Sequence, residues 1–214
     1  MSAVEPLRPI ILYTCPQSNA ASTGNRIVDV FSYLSVLPSI ILGFAITQIL
    51  QGFRALMLSR SRLRMYWPSV LWAVILLLID VQAWWAMYAL RGYNHWNFLD
   101  FAVLLAEMVP LYLLAALVFP NVEVEGAVDL RTHYFENHRW FFAMAVLFIL
   151  LSVGKPLVLF GKWPAPMDLG LQIVFAVVAG IGAYTQRETF HKFLAPCVAL
   201  LLCAYIALLF ARIV

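Results

Sequence analysis

Asp80 and Glu107 are the two side chains in this sequence whose type and setting could carry chemistry. Asp80 stands in LLLIDVQAWW, residues 76–85, and Glu107 in FAVLLAEMVPLYLL, residues 101–114, each inside a run otherwise suited to lipid. A charge at the centre of a bilayer costs from ~3 to over 10 kcal/mol depending on the method, so such residues face a bundle interior or a watery cavity and have partners. A carboxyl there can take up a proton, share a cation with a second carboxyl, pair with a base, or line a wet path. These are the steps by which a proton or small cation is moved.

The elements that must position them follow from composition. Of 214 residues, 64% are hydrophobic and 12% charged, with a mean hydropathy of +0.87, far from the quarter-charged usage of soluble domains. Crossing ~30 Å of hydrocarbon takes ~20 apolar residues. Six stretches approach that length: 30–53, 67–90, 98–119, 140–160, 169–186 and 193–213. The expected fold is all-α, a polytopic integral membrane bundle of about six transmembrane helices, with residues 30–214 as a single transmembrane domain after a 1–29 tail.

The fourth stretch is the weakest, since Lys155 and Pro156 interrupt it and suggest a kinked or interfacial outer end. Tryptophan and tyrosine gather near several predicted ends, as expected at headgroup level. Pro68 and Pro166 stand at helix starts, whereas Pro38 and Pro110 fall inside helices and should bend them.

Orientation is read from the loops. RALMLSRSRLR, between the first two helices, carries Arg54, Arg60, Arg62 and Arg64, whereas the turn at 92–97 has no lysine or arginine. The first loop is therefore expected in the cytoplasm, with both termini outside. Arg60, Arg62 and Arg64 serve as a topology signal or a contact for anionic lipid. Loop 120–139 is then cytoplasmic too. Its second half sets Leu130, Tyr134 and His138 at helical spacing, which fits a short interfacial helix leading into helix four.

Depth counting pairs the two carboxyls. Asp80 lies roughly 15 Å below the outer end of helix two, and Glu107 roughly 14 Å below that of helix three, at 1.5 Å per residue. The short turn joining these helices makes them antiparallel neighbours, so the two groups are expected to share one midplane site. Gln48, Gln82, Lys155 and Gln172 are candidate polar residues of the pathway. Gln82, about 200° around the helix from Asp80, points to the opposite face. Lys155, the one base near that depth, is expected to snorkel outward toward Asp100 and Asp168, leaving a proton or a cation as the neutraliser.

Other chemistry is poorly supported. Asn94, His95 and Asp100 resemble the NHxxxxD pattern of glycerolipid acyltransferases, but the FPEGTR motif of that family is absent and the match covers seven residues. His133, Glu136 and His138 in HYFENH have the wrong spacing for a shared metal face and read as a solvated loop. Histidines near helix ends offer no haem pair. Three cysteines without a CxxC exclude a zinc ribbon or thioredoxin-type pair, and ILYTC before Cys15 is too short for a lipoprotein signal. No GxSxG or Walker motif occurs, and no basic, aromatic-interleaved groove suits nucleic acid.

The sequence thus points to a multi-pass protein of the cell membrane, of bacterial inner-membrane type, that moves protons or a small cation through Asp80 and Glu107. It would act as a channel or transporter, alone, as a homo-oligomer, or within a larger membrane complex. The alternative is a non-catalytic accessory or scaffold subunit whose polar groups lock helix packing, worth ~0.6 kcal/mol per contact. No enzyme activity, cofactor or metal is expected.

Overall fold

The computed structural model describes residues 30–58, 63–93, 95–120 and 128–211. Cys15, Arg60, Arg62 and Asn94, with the 1–29 tail, lie outside the described residues. Six helical stretches are long and apolar enough to cross a membrane, which makes this a multi-pass membrane protein. Apart from one two-residue bridge the described chain is all-α.

The first span runs Val30–Leu58 as α1 (Val30–Leu34) and α2 (Val36–Leu58). The break at Ser35 has a local cause. Pro38 has no N–H to offer the Leu34 carbonyl four residues back, while Ser35 and Ser39 still donate to Phe31 and Ser35, at 2.8 and 3.1 Å.

The second span is α3 (Trp67–Met87), opened by Pro68 in its first turn, where a missing N–H costs nothing. It tightens into a 3-10 turn at Tyr88–Gly92. The third span, α4 (Phe98–Val118), begins with a capping box. Asn97 Oδ1 accepts from the Asp100 N–H at 2.9 Å, and Asp100 Oδ2 accepts from the Asn97 N–H at 3.1 Å.

The fourth span departs most from expectation. Instead of a 120–139 loop before a helix at 140–160, α5 runs unbroken over Leu130–Phe160, 31 residues. Asp129 caps it, accepting from the Arg131 and Thr132 N–H groups at 2.9 and 3.4 Å. Leu130, Tyr134 and His138 are buried, so the lead-in is packed protein and not an interfacial strip. The helix continues through Pro156 to stop at Gly161, the one residue with positive φ (62°) among those described. Its N–H reaches the Leu157 carbonyl at 3.0 Å.

The remaining spans are α6 (Pro166–Tyr184) and α7 (Glu188–Ala211). Both begin earlier than hydropathy suggests, which draws Asp168 and His191 into helices. At one end of the bundle the α2–α3 and α4–α5 connections meet as a parallel bridge of β1 (Leu63–Arg64) and β2 (Val128–Asp129), pairing Leu63 with Val128 and Arg64 with Asp129.

α2 packs on α4, α4 on α5 and α5 on α6, while α3 is shared among α2, α4 and α7. Between α2 and α4, Gly52 lets the Phe119 ring lie against the helix backbone, where a methyl group would overlap it. Phe44, Val81, Trp84, Val109, Val177 and Leu200 face outward, a surface that suits hydrocarbon and not water.

Candidate functional site

A cavity of ≈ 480 Å³ lies among α3, α4, α5, α6 and α7. Each helix turns one stripe toward it. Along α6 the stripe is Asp168, Leu171, Gln172, Phe175, Val178 and Ala179, the i, i+3, i+4, i+7 spacing of a single helical face.

Its two ends differ. Toward the α3–α4 turn the walls carry Gln82, Glu107, Ser152, Lys155, Asp168 and Gln172. Toward the β1–β2 end they are Trp72, Leu114, Phe141, Phe142 and Leu194. A polar mouth therefore opens onto an apolar, aromatic floor.

Lys155 does not snorkel outward as its length alone would permit. Its Nζ donates to both oxygens of Glu107, at 3.0 Å to Oε1 and 2.7 Å to Oε2. The Glu107 side chain is 4% exposed and that of Lys155 23%. Two charges so deep in an apolar bundle are tolerable because each satisfies the other at close range. Asp100, expected as a surface partner for the lysine, is instead 2% exposed and held in the α4 cap. It also accepts from the Tyr93 hydroxyl at 3.1 Å.

Glu107 also sits three residues before Pro110, which cannot donate to the Ala106 carbonyl. The backbone beside the carboxylate is thus one hydrogen bond short.

Asp80 is not brought to this site. It is 1% exposed, and neither carboxyl oxygen has a hydrogen-bond partner among the described residues. It is absent from the cavity wall, whereas Gln82 lines it. At about 100° per residue, Asp80 shares a face with Ala73 and Met87, both buried and neither on the cavity wall. The two carboxyls thus have different surroundings: Glu107 meets a lysine, and Asp80 is buried without a hydrogen-bond partner among the described residues.

Of the other candidates, Gln172 lines the cavity with its Oε1 buried and unpartnered. Gln48 is half-buried on α2 and outside the wall. Arg64 is exposed and forms part of the β bridge.

A second buried polar cluster has no counterpart in the sequence reading. His191 is 0% exposed and His138 3%, where a solvated loop and a helix end were expected. Tyr134 donates its hydroxyl proton to His191 Nδ1 at 3.0 Å, and His191 Nε2–H donates to the Thr185 carbonyl at 2.7 Å. The Thr185 carbonyl can only accept, so Nε2 carries a proton, and in the neutral ring Nδ1 is the acceptor for Tyr134.

His138 uses Nδ1–H on the Phe135 carbonyl at 2.6 Å, leaving Nε2 buried without a partner among the described residues, as are Tyr66 Oη and Ser69 Oγ. Phe135, Phe142 and Phe190 pack against the His191 ring at centroid distances of 5.5 to 5.6 Å. Burial first, then the nearby Glu188 charge, pushes the Tyr66 phenol up to about 12, so it remains a donor at physiological pH. The signal available in sequence was the i, i+4, i+8 run Leu130, Tyr134, His138.

Among the described residues no group of three or more histidine, cysteine or acidic side chains is placed to hold a metal ion. Cys197 and Cys203 are free and exposed on α7. No family model matches this chain, and no curated protein or solved structure resembles it at a significant level.

Proposed function

We propose that this protein moves protons, or a small cation exchanged for them, across its membrane, with Glu107 as the group that changes partners. The observation that carries the reading is the buried Glu107–Lys155 pair in a cavity wall. A proton arriving at Glu107 cancels the carboxylate charge and releases Lys155 toward the cavity. Re-formation of the pair drives the proton off. A small cation entering by the mouth competes with the lysine ammonium for the same two oxygens. Asp80, with no base or donor beside it, is the second carboxyl of the reading, available to a proton alone.

On this reading the arginines before α3 favour a cytoplasmic β1–β2 end, with the polar mouth and both termini on the outer side. A bacterial inner membrane is the setting this implies. The accessory-subunit reading draws on the same pair, because a bidentate, mutually neutral bridge also serves as a packing lock.

Proteoliposomes with a trapped pH dye separate the two. The parent is expected to carry a proton flux that falls about tenfold or more in Glu107→Gln, with a smaller loss in Asp80→Asn. No parental flux, or equal flux in all three, would overturn the transport reading. A stoichiometric co-purifying protein together with silent liposomes supports the subunit reading.

A further inference from the structure

The charge on the cavity wall does not balance. Glu107 and Lys155 cancel, but Asp168 also lines the mouth and forms no ion pair among the described residues. One helical turn further in, on the same face of α6, Gln172 presents a buried Oε1 that nothing donates to. Both groups offer acceptors, Asp168 half-buried in the first turn of α6 and Gln172 with a buried Oε1, and an N–H donor carrying positive charge would suit the two. A carboxylate and an amide oxygen at i, i+4 suit an ammonium, which needs only acceptors for its N–H groups.

Below the mouth the wall turns to hydrocarbon and rings. Phe148 and Phe175 lie midway, and Trp72, Phe141 and Phe142 close the floor. A volume of ≈ 480 Å³ falls within the range of sites for drug-sized molecules, which are mostly apolar with a few placed polar groups. Aromatic faces also favour a cation held beside them.

We propose that the cavity binds an amphipathic organic cation, an apolar aromatic body bearing a protonated amine, with the ammonium between Asp168 and Gln172 and the body against Phe148 and Phe175. As a binding site the proposal stands on the wall alone. As the transported substrate, exchanged for the protons handled at Glu107, it rests on the transport reading above.

The test is binding of naphthylmethylammonium to the purified full chain in nanodiscs, with empty nanodiscs subtracted for partition into lipid. Naphthylmethanol, the neutral counterpart, and naphthoate, the anion, serve as comparisons. The ammonium is expected to bind at least tenfold more tightly than either. Asp168→Asn and Gln172→Leu should each weaken it about tenfold, and Asp168→Glu should restore most of the affinity, which separates loss of the site from loss of the fold.

Equal binding of ammonium and alcohol, or an unchanged dissociation constant in Asp168→Asn, overturns the proposal. Glu107→Gln distinguishes the two readings. Lost proton flux with retained amine binding leaves both standing. Intact parental flux with no amine binding removes the amine alone. Amine binding without parental flux keeps the site and removes the transport reading.

Discussion

At the end of the bundle that carries the α3–α4 turn, buried polarity is handled by opposite charges. At the β1–β2 end it is handled by neutral hydrogen bonds among Tyr134, His191 and the Thr185 carbonyl. The first arrangement lines a cavity and leaves Lys155 with 23% of its side chain accessible. The second is wrapped in aromatic rings, with His191 wholly enclosed. A pair of ions can be separated by a single proton and rejoined, because each partner's charge is the other's only neutraliser. A neutral network enclosed in rings has no such trigger, and through the Tyr134–His191 bond it joins α5 to α7.

The contrast can be broken first at the ion pair. Lys155→Met leaves the Glu107 carboxylate buried and alone, and should cost about 3 kcal/mol, the low end for such a loss because the lysine is partly accessible. Joint replacement of both residues by methionine should recover most of that. Reversible unfolding in mixed detergent measures both variants, and equal stability of the single and double variants would show that the pair is not coupled.

His191→Ala should cost about 2 kcal/mol, since it strands the Tyr134 hydroxyl and the Thr185 carbonyl in an apolar setting. It should leave proton flux per folded molecule unchanged, and a flux defect matching that of Glu107→Gln would erase the distinction between the two ends. The smallest change has the opposite sign. Asp80→Val removes two unpartnered oxygens and should stabilise the fold by about 1 kcal/mol while reducing flux. Destabilisation instead would mean that Asp80 is satisfied by a group beyond those described.

What could be read from the sequence was whatever depends on length, depth and composition. The six spans, the start of α3 at Trp67 and Pro68, and the burial of Asp80 and Glu107 all follow from apolar runs and 1.5 Å per residue. What could not be read depends on rotation and on reach. Asp80 and Glu107 have matching depth, yet α3 turns Gln82 and not Asp80 into the cavity. Lys155 is long enough to go either way, and its direction was decided by a carboxylate 48 positions distant in sequence.

The 130–139 segment misleads for another reason. Arg131, His133, Glu136, Asn137 and Arg139 make it look solvated, although its Leu130, Tyr134 and His138 face is buried. Averaging over a window hides a stripe that only the helical period reveals.

The two-residue bridge between β1 and β2 is slight, but it joins the linker before α3 to the linker before α5. Arg131 meanwhile grips Glu188 at the start of α7, with a 2.8 Å contact. Three of the helices that wall the cavity are thus joined at this end, while at the other the short turn after α3 and the Lys155–Glu107 pair tie α3 and α5 to α4. The ties at the floor do not depend on the ion pair. Parting Lys155 from Glu107 therefore frees α5 from α4 at the polar end and leaves the floor held.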